Sequence, residues 1–182
     1  VTNAMSLIAA SKMRRAQMAV TQGRPYAEKI QEIISHLAAQ PSEEGGGPHA
    51  LLRERPVQRI GVLAISPDRG LCGGLVSNLN RRVGQFVLEQ AAPCRVIVVG
   101  RKARDFMVRT SQDLKAVFTD MGERPVQADT MAVSHLVIDA YTEGEVDEVY
   151  LAYTKYVSTL SQVPVVEKLL PVTPAALTAP ER

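Results

Sequence analysis

The stretch Ile60-Gly61-Val62-Leu63-Ala64-Ile65-Ser66-Pro67-Asp68-Arg69-Gly70-Leu71-Cys72-Gly73-Gly74-Leu75 decides the fold. Its first six residues form a short apolar run that ends at breakers, the pattern of a buried strand. Beyond the glycines, Leu75, Leu79, Val83 and Phe86-Val87 recur at helical spacing. Strand, glycine turn and helix in that order open an α/β domain. Many such domains bind phosphate here, because a helix N-terminus presents free N–H groups.

Outward from this turn the alternation continues. Val57 to Ile65 reads as the first strand and Asn78 to Ala91 as a helix. Arg95 to Val99 is a β-branched, uninterrupted run, so it predicts a central strand buried on both faces. Arg101 to Thr110 reads as a helix, Leu114 to Thr119 as a strand, and Gln127 to Tyr141 as a helix. On that last helix Met131, Val133-Ser134, Leu136-Val137 and Ala140 are expected on the inner side. Val146 to Tyr153 is the fourth strand, and Val157 to Leu170 is extended, with Pro164 marking an edge or a bulge. Alternating strands and helices imply a parallel sheet with right-handed crossovers. The last strand follows too closely for a crossover helix and is expected to be antiparallel.

Upstream, residues 1–40 predict one long helix. Val1, Met5, Ile8, Ala9, Ala16, Ala19, Val20, Ile30, Ile33, Ile34 and Leu37 recur every three or four residues. Such a helix would reach on the order of 60 Å, too long for a small domain to cover. Pro25 removes a hydrogen bond and predicts a kink, at about 3 kcal/mol, rather than a stop. The expected organisation is a shaft helix over 1–40, a linker over 41–56, an α/β domain over 57–172 and a loose tail over 173–182.

Composition narrows the function. With 182 residues, 46% hydrophobic and 22% charged, the chain is an ordinary globular one. A net charge of +2, with no basic stretch interleaved with aromatics, argues against nucleic acid. No apolar run approaches the roughly 20 residues that span a bilayer, and there is no signal-peptide pattern. Cys72 and Cys94 do not make a disulfide framework, and His36, His49 and His135 lie far apart without ligand spacing. No metal site and no cofactor is assigned.

The turn itself has the pattern G-x-x-G-G at Gly70, Gly73 and Gly74, not the G-x-G-x-x-G of a dinucleotide site. Leu71 and Cys72 put side chains where a pyrophosphate needs bare backbone. After the second strand an acidic residue is absent; Gly100-Arg101-Lys102 stands there, and its cations leave a phosphorylated dinucleotide as an alternative. The competing reading is glycines for a tight turn and close packing. In that reading Leu71 and Cys72 pack against protein or a partner, and Cys72 reads as a small packed residue rather than a reactive thiol. Asp68 and Arg69 read as an internal ion pair or a surface contact. The cluster Lys12, Arg14, Arg15 reads as a solvated face or as a contact with an acidic partner.

Three groups of residues resemble one family. They are Ala4-Met5 with Ala9-Ala10-Ser11-Lys12-Met13-Arg14-Arg15-Ala16-Gln17 and Arg24-Pro25-Tyr26-Ala27-Glu28; Asp68 to Leu75 with Ser77-Asn78; and Ser161-Gln162-Val163-Pro164 with Leu169-Leu170-Pro171. In order along the chain, they are similar to the gamma subunits of rotary ATP synthases. The resemblance implies a Rossmann-like three-layer α/β/α domain with a mostly parallel sheet, carrying a long N-terminal helix that is half of an antiparallel coiled coil. It implies a central-stalk rotor subunit that transmits torque and binds no nucleotide. The alternative is an NADP-binding enzyme of the Rossmann type.

Implied partners are the alpha and beta subunits, which carry catalysis on beta, the epsilon subunit, and the membrane-embedded ring of proton-carrying subunits. No nucleic acid is expected. Association with the cell membrane, on its cytoplasmic side, comes only through the complex. By position, the implied contacts are Met5, Lys12, Met13, Arg14 and Arg15 on the shaft, and Asp68, Arg69, Gly70, Leu71, Cys72, Gly73, Gly74 and Asn78 at the turn. The resemblance also implies that the chain starts inside the first shaft helix and stops before the second. Asn3 stands where the family often has Lys, and Val76 where it often has Asn. No cysteine follows Pro171, so a chloroplast-type thiol switch is not expected.

Overall fold

A computed structural model describes residues 2–38, 49–122 and 125–172. The expectations for Val1, for residues 39–48 and for the tail from Thr173 lie outside the described residues. Helix α1 (Thr2–Ala38) belongs to one compact unit and residues 49–172 to another.

In the first unit, α1 is helical on both sides of Pro25. Its apolar side chains stand open to solvent: Met5, Ile8, Val20, Ile30 and Ile33 are all exposed.

In the second unit the elements after a short 3-10 turn at Ala50–Leu52 are β1 (Ile60–Ile65), α2 (Leu75–Glu89), β2 (Cys94–Val99), α3 (Arg101–Arg109), β3 (Asp113–Phe118), α4 (Gln127–Thr142), β4 (Glu148–Ser158) and β5 (Ser161–Leu170). The strands form one sheet in the order β3-β2-β1-β4-β5. β1 pairs in parallel with β2 and β4, and β2 with β3. β5 is antiparallel to β4 at the edge, where Pro164 costs the interior of the sheet no donor.

Alternation along the strands sorts the core into two layers. Ile60, Val62, Ala64, Val96 and Val98 face one way and pack with Leu79, Val83 and Phe86 of α2 and Ala103 and Met107 of α3. Leu63 and Ile97 face the other way, against Val133, Val137, Ala140 and Tyr141 of α4. The domain is therefore the three-layer α/β/α sandwich. Val96 and Val98 are fully buried and Ile97 nearly so, as the uninterrupted run of β2 requires.

Several local expectations are corrected: α2 begins at Leu75 rather than Asn78, and β4 runs on to Ser158, so Val157 belongs to it and the last strand begins at Ser161. The first strand begins at Ile60, not Val57, because the Asp147 carboxylate takes the amides of Gln58 and Arg59 at 2.8 and 3.0 Å, where a ladder partner would stand. On α4, Met131 and Ser134 are exposed rather than inward. The buried residues of α4 fall at i, i+4, i+7 and i+8, and Met131 is about half a turn from that stripe.

Candidate partner-binding surface

The strand order reverses between β1 and β4, so a switch point lies beyond the C-terminal end of β1. Folds of this type hold their ligands there. On the β2 side of β1, protein groups bridge the strand ends. Ser66 N–H donates to Val99 O at 2.8 Å, and Gly100 N–H to Phe118 O at 2.7 Å. The first three amides of α3 are all engaged. Arg101 N–H donates to Asp68 Oδ1 at 3.0 Å, Lys102 N–H to Pro67 O at 3.3 Å, and Ala103 N–H to Ser66 Oγ at 2.8 Å. These are the donors that a helix start leaves unsatisfied and that a phosphate would otherwise use.

Asp68 does more than cap α3. Its Oδ2 accepts the amide of Asp120 at 3.0 Å. One carboxylate thus ties together the loops after β1, β2 and β3. Arg101 closes the cluster, with Nη2 on Asp120 Oδ1 at 2.6 Å and Nε 3.7 Å from Asp68 Oδ1. Of the two cations read as possible 2′-phosphate ligands, Arg101 and Lys102, the first is engaged by carboxylates of its own chain. In this cluster Asp68 pairs with Arg101.

Above this clamp the turn is displayed. Arg69, Gly70, Leu71, Cys72, Gly73, Gly74 and Asn78 are all exposed. Of the two side chains expected to pack against protein or a partner, Leu71 is 109% exposed at φ +62° and Cys72 is an exposed free thiol, which overturns the reading of Cys72 as a small packed residue and leaves the partner. A left-handed backbone at the tip turns the leucine away from the body. Gly73, at φ +61°, has open space around it and serves the turn. Gly74 ends the turn beside the Asn78 side chain, where an added Cβ would lie 3.1 Å from Nδ2.

On α1, Met5, Lys12, Met13, Arg14 and Arg15 are exposed. They do not form one patch. At about 100° per residue, Lys12, Met13, Arg14 and Arg15 point to four sides of the helix. Met5 shares a side with Lys12, seven residues on.

The residues that shape this surface most, Ser66, Gly100, Arg101 and Asp120, were not singled out as site residues from sequence. Asp68 meets Arg101 and Asp120 across 33 and 52 residues, so no local pattern announces them. The one available signal was position: Ser66 and Gly100 each follow the last residue of a parallel strand. Among the described residues, no three His, Cys, Asp or Glu side chains group as metal ligands would, and no helix is long and apolar enough to cross a membrane.

Fold and turn together define a Rossmann-like α/β domain, paired in one chain with a long solvent-exposed helix, in which the start of α3 is capped by groups of the β1 loop while α2 opens on Gly74 without a side-chain cap. The family model for ATP synthase matches residues 1–181, and the chain belongs to that family. Its similarity is to gamma chains. The ATP synthase gamma chain of Dehalococcoides mccartyi strain 195 is 51% identical over 177 residues, covering 97% of this chain and 62% of that protein. The gamma chain of Roseiflexus sp. strain RS-1 is 41% identical over 178 residues, 96% of this chain and 61% of that one. This chain therefore spans about three fifths of these relatives. Among solved structures it is similar to a chain of the central stalk and c-ring of Tetrahymena thermophila mitochondrial ATP synthase, with TM-score 0.67, 26% identity, and coverage of 93% of this chain and 72% of that one. The dinucleotide enzyme reading has no support in these relatives.

Proposed function

We propose that this chain is the body of a central-stalk rotor subunit of a proton-translocating ATP synthase. It would transmit torque between a membrane ring and a catalytic head. One observation carries the reading: the gamma-chain likeness runs through both α1 and the glycine turn, nearly the whole of the chain. In this reading α1 is one strand of the shaft, and its exposed apolar residues are covered in the assembly. The clamped turn offers Leu71 and Cys72 to a neighbouring subunit, with Asp68, Arg69, Gly70, Gly73, Gly74 and Asn78 shaping that contact. Met5, Lys12, Met13, Arg14 and Arg15 meet the alpha and beta subunits around the shaft. Catalysis resides on beta, and the epsilon subunit and the ring complete the partners. The complex lies at the cell membrane, with this subunit peripheral on the cytoplasmic side.

The test is a hybrid gamma chain in which residues 1–182 replace the corresponding segment of a complete relative. Assembled with the other subunits, it should retain alpha and beta on affinity capture and drive ATP-dependent proton pumping. A hybrid that folds but captures neither subunit refutes the reading.

A further inference from the structure

The chain enters the α/β unit through residues 49–59 and reaches the unit's end at Val172. These two places are joined: Val172 N–H donates to Leu51 O at 3.0 Å. Leu51 and Val172 pack on the same core layer. The segments that lead into and out of the unit are therefore bonded side by side, as a neck.

The entry strand has little regular structure to resist a load. Residues 53–59 lie in neither helix nor strand. Side chains hold them instead, and most converge on the corner between α4 and β4. The guanidinium of Arg55 donates through Nη2 to the carbonyls of Tyr141 and Val146, the latter at 3.1 Å. Its Cζ lies 4.5 Å from the centre of the Tyr141 ring. Its Nε is buried, donates to nothing, and faces Asp147 Oδ1 at 3.6 Å. Asp147 in turn accepts the amides of Gln58 and Arg59, and its own N–H donates to Arg59 O at 2.8 Å. The buried Tyr141 donates its hydroxyl to Arg53 O at 2.7 Å. Both charged side chains are largely shielded, at 27% and 13% exposure, so water and salt weaken their attraction little.

The cluster leans on the core through Tyr141, while Arg55 and Asp147 lie outside both core layers. One Arg55 nitrogen holds two carbonyls while the flat guanidinium lies over the Tyr141 ring, a stack that an ammonium cannot make. The effect is to fasten an otherwise irregular strand at the place where the unit is entered.

We propose that Arg55, Tyr141 and Asp147 form a latch that makes the neck stiff, with Arg55 as its positioning residue. The inference rests on the rotor reading: without the latch, torque would be lost as twisting of residues 49–59 instead of turning the whole subunit.

The test uses the complete hybrid gamma chain in the assembled synthase, with Arg55→Met, Arg55→Lys, Tyr141→Phe and Asp147→Asn. Arg55→Met keeps the length and apolar stem and removes the fork. It should leave assembly and ATP hydrolysis in place while lowering protons pumped per ATP. Amide exchange at Gln58 and Arg59 should quicken by about tenfold or more, while exchange in β1 and β2 stays slow. Arg55→Lys keeps one nitrogen that can serve both carbonyls but loses the planar stack on Tyr141 and the Nε beside Asp147, so it should fall between wild type and Arg55→Met. Tyr141→Phe, which loses one hydroxyl bond and no packing, should give a smaller shift of the same sign and guards against a misfolded arginine variant. Unchanged pumping per ATP in all four variants overturns the latch. A wild-type hybrid that does not pump overturns the rotor reading instead.

Discussion

Gly100 runs so close beneath Ser66 that a Cβ placed on it would lie 2.0 Å from the Ser66 carbonyl oxygen. The contact is between the ends of two adjacent parallel strands, and Gly100 meets it at φ +98°. Both facts demand glycine, one by space and one by backbone conformation. The approach lets Ser66 Oγ reach the amide of Ala103 and brings α3 under the displayed turn.

Gly100→Ala should therefore destabilise the chain by about 3–5 kcal/mol, combining a disfavoured φ with a clash against backbone that has nowhere to go. Denaturant unfolding followed by far-UV circular dichroism measures it. Gly73→Ala, in open space at φ +61°, should cost only about 1 kcal/mol. Equal losses at the two sites would contradict the close approach.

Asp68→Ala strips the acceptor from the amides of Arg101 and Asp120 at once. Both sites are near the surface, so water replaces part of the loss, and about 1–2 kcal/mol is expected. Asp68→Asn keeps one acceptor oxygen and should lose less. Amide exchange at Arg101 and Asp120 should quicken in Asp68→Ala, with β1 unaffected. Slow exchange at both amides in that variant would show that the carboxylate does not hold them.

Periodicity made the layers legible. The β-branched run Val96-Ile97-Val98 reads as a strand buried on both faces because alternation sends its side chains to two different helical layers. Boundaries were less legible where a side chain replaces a ladder partner, as Asp147 does at Gln58 and Arg59. The glycine turn was found from its punctuation, yet its stabilising partners were not. Sequence spacing carries no record of a carboxylate that reaches two loops folded beside it. Sequence left Leu71 to meet either its own chain or a partner; the left-handed φ that turns it outward, and so leaves the partner, is visible only in three dimensions.

Stability should fall at both ends of the pH scale, through different groups. A hydrogen bond from Lys115, with Lys115, Arg95 and Arg59 adding Coulombic attraction against some burial, holds the Glu145 carboxyl below its ordinary value of 4.5. A depressed acid stabilises the fold above its unfolded pKa and loses that contribution as pH falls through the folded one. The loss therefore begins below about pH 4.5, and Glu145→Gln should flatten it. Burial, helped by the bond to Glu148 and by its charge, pushes Tyr150 from 10 up to about 12. A raised tyrosine stabilises the fold below pH 10 and loses that contribution as pH rises from 10 to about 12. Melting temperature against pH, for the chain and for Tyr150→Phe, separates the two windows.

NADPH should not bind saturably at the turn. At the tip, Leu71 and Cys72 put side chains where a pyrophosphate needs bare backbone, and beside it the α3 amides already hold Asp68, Pro67 and Ser66, with Arg101 engaged by Asp68 and Asp120. Displacing them would break a network for one ligand contact. Equilibrium dialysis decides this. Saturation that disappears on Gly73→Val would mean the clamp opens to admit a nucleotide.

Helix α1 leads to the last expectation. Met5, Ile8, Ile30 and Ile33 are 65%, 59%, 36% and 52% exposed, and the helix runs 37 residues. Its length is about 55 Å at 1.5 Å per residue. Apolar surface of that extent exceeds the few hundred Å² that soluble monomers commonly leave open. A single helix in water gains little from its own propensities, so its order depends on being covered. The chain as it stands should therefore self-associate, with helicity rising as concentration rises. Ile30→Glu with Ile33→Glu puts two charges one turn apart on the stripe and should restore monomers with a frayed α1. Sedimentation and circular dichroism over a hundredfold range of concentration, roughly the span over which a micromolar dimer assembles, test both halves. A monomer with a fully helical N-terminus at every concentration would mean that this helix needs no partner, and the shaft reading of α1 would fail with it.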